Sequence, residues 1–596
     1  MKSNAQTKIT SPEKRARMGE RIKMSATSSG MSLKELARKI DAPVSLLYQY
    51  VRGITNVPPH RLQAIADVTG LSVNFFNPDR DARATFSLPA DINRDNVLSG
   101  RDSSYGSDIR SLRRLAEAYS DTTSNSAALT STLHEILSLT RQAGDLYGEA
   151  ETLLRLGELA FKLRDLPTSI DHYSAARDIF ASYNRQEQQV KAVLCMARNA
   201  SEMGASDVAL DDCQEASRIA GENLKWRVDL VHARIYLRRN RLGESLLALM
   251  DGMRLPEEQF EHLEEAREIA AEILTELLMA AGQYASALKI GRVVAENAIR
   301  KQDAGLLINT LSQNAYCALL LGSLYDAKGY AEQALAVSHV TVGGVYQARS
   351  RARLASVLNM LGRTEEAARL AREALKMGGA SLQNDGNILA YLALSENCLL
   401  SGSYKEALEF SEEAIAESRR NNHWRELASA RVLRSRSLAF LSGPDGGAQL
   451  IESIAEGRRA VETADRGGGP VDKAVSRIAL AGALIQSKQT AEAKGYVEKA
   501  LDILLHGAST LTALLGPNYT DYPAQLSEEP LVISELFQHE ALNVPALEIG
   551  AFHMRAEIAG NGKKADADRE KEQEAREKLI SLLTREDSER LKALWL

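Results

Sequence analysis

Cysteine, proline and aromatic side chains are scarce in this chain, and each scarcity removes a class of protein. The 4 cysteines among 596 residues, Cys195, Cys213, Cys317 and Cys398, lie far apart in apolar runs with no CxxC spacing. That excludes a disulfide scaffold and reads as reduced core residues in a reducing compartment. Only 14 prolines and 5% aromatics, beside abundant Ala, Leu, Glu, Arg and Ser, favour many ordinary helices over a β-rich or α/β enzyme core. No apolar run approaches the about 18 residues of a membrane-spanning helix, and the first residues are polar rather than an apolar leader. A cytoplasmic protein without membrane attachment is expected. The 10 histidines are scattered, with no HExxH, P-loop or nucleophile elbow. The one glycine-rich run, Gly467-Gly468-Gly469-Pro470, lacks the Lys and the preceding strand that phosphate binding needs. Neither an enzyme nor a cofactor or metal site is expected.

What is present is length and an uneven charge. A chain of 596 residues exceeds one core, since single cores stop growing at about 250–300 residues. The net charge of −6 conceals a basic head: residues 1–80 carry +7 and the remainder −13. Such a head suits contact with nucleic acid through one end, because neutralising phosphates supplies most non-specific affinity.

Residues 13–77 read as short helices, each with its own punctuation. The first carries Met18, Ile22 and Met24 among Arg15, Arg17, Arg21 and Lys23. The second starts at Ser32, an N-cap with Glu35 at the N3 position, and buries Leu33, Leu36, Ala37 and Ile40. Asp41-Ala42-Pro43 then turns tightly into a helix over residues 43–52, which Gly53 ends. Two short helices joined so tightly cross steeply, which is helix-turn-helix geometry.

From Gly19-Glu20-Arg21-Ile22 through Gly30-Met31-Ser32, Glu35-Leu36-Ala37, Gly53, Leu62, Ile65-Ala66 and Gly70-Leu71-Ser72, the register resembles the phage-repressor-like helix-turn-helix, the xenobiotic-response-element type. The resemblance implies a five-helix domain that places residues 43–52 in the major groove of double-stranded DNA. Val44, Ser45 and Gln49 then occupy base-reading positions, Gln49 suiting adenine and Val44 a thymine methyl. Lys34, Tyr48, Arg52, Thr55 and Asn56 are expected on phosphates. The sequence departs from the family at Ser25, Leu33, Asp41 and Val51. A fold of this type used for protein contacts alone is the alternative. One head offers few contacts, so a homodimer on a two-fold operator is expected.

Residues 78–107, rich in Pro, Gly, Ser, Asn and Asp without a helical stripe, read as a linker. From 108 to 506 the chain repeats itself. Gly-x-Tyr-x-x-Ala-Leu occurs at Gly282 and again at Gly402, and the small residues Ser169, Ala209, Ser245, Ala287, Ala327, Ala367, Ala407, Ser453 and Ala493 are spaced 40, 36, 42, 40, 40, 40, 46 and 40 residues apart. A second small residue follows seven positions later in eight of the nine units.

These units resemble tetratricopeptide repeats, with a period longer than the family's about 34 residues; armadillo-like pairing is the structural alternative. The resemblance implies an all-α chain in which the head is followed by a right-handed superhelical solenoid with one concave face. Helix-facing geometry assigns to that face Arg198, Arg227, Arg234, Glu276, Asn309, Gln313, Tyr316, Arg349, Arg353, Asn359 and Glu396. In the family such Asn and Arg side chains grip a peptide's backbone and carboxylates; otherwise they are solvated charges paired between helices. Residues 507–596 break the period at Gly516-Pro517, Tyr522-Pro523 and Asn543-Val544-Pro545, then read as a charged helix over 563–594. Capping of the array and a dimer contact remain equal readings of that segment.

A head and repeats of these kinds together resemble the peptide-responsive quorum-sensing regulators. What the resemblance implies is a sequence-specific transcriptional regulator, a repressor among the possibilities, whose array binds a signalling peptide, a small ligand or a protein partner and thereby controls DNA binding. A protein-interaction scaffold tethered to DNA by its head is the rival.

Overall fold

The computed structural model describes residues 15, 18–19, 22, 33–40, 42–52, 54–69, 106–120, 126–163, 165–255, 262–339, 344–378, 385–420, 423–443, 447–515, 523–524, 531–537, 541–560 and 562–581. They fall in two compact units, 1–192 and 193–596.

In the first unit, α1 (Leu33–Lys39), α2 (Val44–Val51) and α3 (Pro59–Thr69) form the head. Their apolar faces bury Leu36, Ala37, Leu47, Tyr50 and Ile65 together with Met18 and Ile22 of the preceding segment. Gly19 is required there, because a Cβ would stand 2.3 Å from the Val51 carbonyl oxygen. Arg61 closes the far end of α1 by donating from Nη1 to the Ile40 carbonyl at 2.6 Å. The expected N-cap Ser32, the fifth helix near residue 72 and linker residues 78–105 lie outside the described residues. The same apolar cluster continues into Leu112 and Leu115 of α4 (Gly106–Ser120). After α5 (Ser126–Ala143) the first complete pair follows, α6 (Leu146–Lys162) with α7 (Leu166–Ser182).

Further pairs succeed one another: α8 (Gln186–Glu202) with α9 (Ser206–Ala220), α10 (Lys225–Arg238) with α11 (Leu242–Met253), and α12 (Leu263–Ala280) with α13 (Tyr284–Arg300). Then come α14 (Ala304–Leu320) with α15 (Leu324–Ser338), α16 (Gly344–Met360) with α17 (Thr364–Gly378), and α18 (Asp385–Leu400) with α19 (Tyr404–Arg420). The last are α20 (Trp424–Leu441) with α21 (Ala448–Gly467), and α22 (Pro470–Gln486) with α23 (Thr490–His506). Among the described residues the fold is all-α, with a helix-turn-helix head and a tetratricopeptide-like array, apart from a two-residue antiparallel pairing of Pro523 with Val532 and Ala524 with Leu531.

The repeating residues explain the pairing. Each small marker sits on the second helix of its pair and is buried: Ala209, Ala287, Ala327 and Ala407 expose nothing. Where the marker is Ser, its hydroxyl bonds to the partner helix, Ser169 to the Gly157 carbonyl at 2.6 Å and Ser245 to that of Ala233 at 2.7 Å. Helices this close leave no room for a larger side chain. The signature glycine ends the first helix: Gly282, Gly322, Gly362 and Gly402 have φ between 71° and 81°. The next amide in each case bonds five residues back, Gln283 to Leu278, Ser323 to Ala318, Arg363 to Leu358 and Ser403 to Cys398, at 2.8–2.9 Å. This left-handed C-cap recurs every 40 residues because only glycine adopts it without strain.

First helices of several successive pairs also touch each other, forming an inner layer. Past His506 the second unit returns upon itself. Residues 508–515, including α24 (Leu511–Leu515), reach back to the α11–α13 region. The Ser509 amide donates to the Ala281 carbonyl at 2.7 Å, and Gln283 Nε2 to the Ser509 carbonyl at 3.2 Å. Leu536 and Phe537 at the end of α25 (Ile533–Leu536), with Leu542 and Val544, complete a core containing residues from both ends of the array in this unit. Beyond it, α26 (Pro545–Ala559) packs on α22 and α23 and carries α27 (Lys563–Ser581).

All four cysteines are free and three are buried. Burial pushes the thiols of Cys213 and Cys317 up to about 12, which keeps them protonated and unreactive. Among the described residues no helix is long and apolar enough to cross a membrane.

Candidate DNA-reading and ligand-binding sites

The head offers one polar face. Burial of Leu47 and Tyr50 turns the opposite side of α2 outward, so Val44, Tyr48, Gln49 and Arg52 are exposed, Tyr48 by 46%. Ser45 lies on α2, its side chain outside the described residues. Lys34 stands exposed on α1, and Asn56 in the turn after α2. Thr55 is half-buried, and its hydroxyl has no hydrogen-bond partner among the described residues. The sequence-named positions thus form a strip along α2 and its following turn, with one lysine on the neighbouring helix.

In the array, most of the named inner-layer residues serve as rungs between neighbouring pairs. Arg227 meets Glu265 at 3.0 Å and Arg234 meets Glu272 at 3.1 Å. Gln313 donates to Glu276 at 3.4 Å and Arg349 to Asn309 at 2.5 Å. Asn359 is 1% exposed; its amide donates to the Ala393 carbonyl and its oxygen accepts from Asn397, both at 2.8 Å. Glu396, whose carboxyl burial pushes up against the pull of Arg436, also bonds to Asn359. Arg198 is half-buried on α8. Partners one repeat apart in sequence bind neighbouring turns of the stack, so these groups hold register.

Tyr316 and Arg353 behave differently. The guanidinium of Arg353 lies over the Tyr316 ring at 5.1 Å, and that of Arg425 over the same ring at 5.0 Å. Arg425 also donates to the Tyr316 hydroxyl at 3.4 Å and faces Asp472 at 3.4 Å. The residues come from α14, α16, α20 and α22, so the contact spans the inner layer. Nearby, Tyr284 is 2% exposed and its hydroxyl has no partner among the described residues; the Nε of Arg353 is likewise buried and unbonded among them.

The charges are distributed unevenly. Burial raises the Tyr316 phenol despite both guanidiniums, and it pulls Arg353 down, with Arg425 and Arg349 adding to the fall against Tyr316 and Glu426. Arg425 holds its proton more tightly than usual, through the Tyr316 phenol first and Asp472 as well. Burial pushes Asp472 up, opposed by Arg425 and by the Gly469 amide, which donates to it at 2.8 Å. Burial opposes ionisation of Glu426 too, but His423 and Arg425 hold it down to about 2. Arg353 is therefore a poorly compensated cation over the Tyr316 ring, an arrangement suited to an anionic or hydrogen-bond-accepting group. Sequence reasoning missed Arg425 and Asp472, and took Tyr284 for a packing residue of the repeat signature. Arg425 starts its helix whereas Tyr316 is near the end of its own, so no common repeat register links them.

No group of His, Cys, Asp and Glu among the described residues could hold a metal ion. None of the curated proteins matches the sequence. Similar solved structures include a Rap protein complexed with competence and sporulation factor, 12% identical over 60% of this chain and 99% of that one, with a TM-score of 0.36. The apo form of RapI is 13% identical over 60% and 98%, at 0.31. The Cut9–Hcn1 hetero-tetramer of APC/C is 12% identical over 94% and 98%, at 0.37. Residues 22–76 match the Helix-turn-helix family model; in its head and its repeats, the chain resembles a phage-repressor-like regulator with tetratricopeptide-type repeats.

Proposed function

We propose that the chain is a sequence-specific DNA-binding transcriptional regulator whose array binds a peptide, small ligand or protein partner and thereby controls DNA binding. The proposed division is a head over 13–77, a linker over 78–107, the array over 108–506 and capping or dimerisation helices over 507–596. The observation that carries the reading is the head: a segment matching a helix-turn-helix family turns Gln49, Tyr48 and Arg52 outward on its second helix, in the most basic part of an acidic chain. Gln49 and Ser45 read bases; Lys34, Arg52, Thr55 and Asn56 hold phosphates. The chain acts as a homodimer, since one head makes too few contacts for specificity.

Within the array, Tyr316 and Arg353, joined by Arg425 and Tyr284, are the ligand-binding group. A ligand that binds one arrangement of the array better than another shifts operator affinity by that difference alone. The scaffold reading draws support from the rungs, which occupy most of the other inner-layer polar groups. Gel retardation with the protein's own promoter DNA tests the head. Gln49→Ala is expected to relax sequence choice, whereas Lys34→Ala weakens binding to every sequence and lowers the salt slope by about 1. Equal losses on all sequences for Gln49→Ala would remove it from base reading. No retardation at low salt would defeat the DNA-binding reading.

A further inference from the structure

A cleft of about 270 Å³ in the second unit is lined by Ser418 and Arg419 of α19, Trp424, Leu427 and Arg431 of α20, and Arg466 of α21. It involves none of the residues assigned above to ligand or DNA. Ser418 is wholly buried, yet its hydroxyl has no hydrogen-bond partner among the described residues, although a helical serine ordinarily bonds the preceding turn. Trp424 is 41% exposed, with the Arg466 guanidinium over its ring at 5.3 Å.

Arg431, which donates to the Arg459 carbonyl at 3.0 Å, is under-compensated in charge. Arg431 reaches Glu456 only at 3.7 Å, and that carboxylate is shared with Arg434 at 3.6 Å and Arg459 at 2.9 Å. Arg431 also feels Glu462, but burial and then the repulsion of Arg419 and Arg459 outweigh the acids. Guanidiniums, a free hydroxyl and an open indole together suit a phosphate carried on a flat ring. Base stacking on an aromatic face is sequence-tolerant and adds to the charge term. At about 270 Å³ the cleft lies below the usual ligand-pocket range of about 300 Å³ and more, which leaves no room for a peptide of several residues.

We propose that this cleft binds a mononucleotide, its phosphate held by Arg419, Arg431 and the Ser418 hydroxyl and its base stacked on the exposed surface of the Trp424 indole, which the Arg466 guanidinium backs at 5.3 Å. Calorimetric titration of the full chain with AMP, inorganic phosphate and adenosine tests it. AMP is expected to bind at least tenfold more tightly than either fragment. Arg466→Gln, an exposed change that leaves the melting temperature in place, weakens AMP by about tenfold, as expected for loss of the cation that backs the stacking ring. Absence of AMP binding overturns the proposal, as does adenosine binding equal to AMP or an unaltered affinity in Arg466→Gln. Phosphate binding as tight as AMP overturns it too, since the ring would contribute nothing.

Discussion

At the scale of single residues, the chain pays for crowding in identifiable places. Asp229, on α10, has its carboxyl pushed up to about 6, by burial first, while Lys225 pulls the other way and Asp251 and Glu222 add to the rise. An acid whose folded value lies above its unfolded one opposes folding increasingly as pH rises from about 4 to 6, and by a constant amount above that. Asp229→Asn should therefore raise stability by about 1–2 kcal/mol at pH 7, after allowance for solvent screening of a half-buried group, and give almost nothing at pH 3.5. Urea melts at the two pH values check the sign; a gain of equal size at both would mean that charge is not the cause. No sequence pattern announces this residue, because its burden comes from neighbours supplied by folding.

Glu426 has the opposite sign. Its carboxyl, held down to about 2, contributes stability that is present at neutral pH and is lost as the solution is acidified from about pH 5 toward 2. The difference between the two acids is partnership: His423 lies at 3.6 Å from Glu426, whereas Asp229 relies on Lys225 alone.

At the scale of elements, the helix pairs were legible from spacing. Small residues about 40 apart imply close helix contacts, and their burial on every second helix follows from the same backbone approach. Ala407→Leu should cost about 1–3 kcal/mol by overpacking, the usual penalty for added methylenes in a full core. The two helices cannot simply part to admit the larger side chain, because the Ala407 carbonyl accepts from the Ser395 hydroxyl at 2.8 Å and ties them together at that height. Thermal unfolding measures the loss; an unchanged midpoint would show that the pair interface tolerates separation. The inner-layer assignments fared less evenly. Helical facing selected residues of first helices, but it could not distinguish Asn359, consumed between repeats, from Arg353, whose Nε lacks a partner among the described residues. That distinction depends on what the adjacent repeat presents at the same height.

At the scale of the whole molecule, the decisive feature is the return of residues 508–515 within the second unit. Gly243 on α11 faces the Leu514 carbonyl so closely that a Cβ would stand 2.6 Å from the oxygen. Gly243→Ala favours the helix by about 1 kcal/mol intrinsically, yet it should force this segment away. Hydrogen exchange at residues 508–515 is expected to accelerate at least tenfold, with exchange in α16–α19 unchanged. Protection equal to the unaltered protein would show that the returning segment yields without releasing its bonds.

The sequence by itself determined the helical class, the helix-turn-helix head and the repeat period, because these depend on local rules: side-chain periodicity, caps, and small residues where backbones touch. Only the tertiary structure decided that Tyr316 meets Arg425, that Asn359 is consumed between repeats, and that the segment after the last repeat returns to α11–α13. Those outcomes depend on how each pair is rotated against the next. Small rotations accumulate over many pairs, and their sum brings together residues that no spacing in the chain relates.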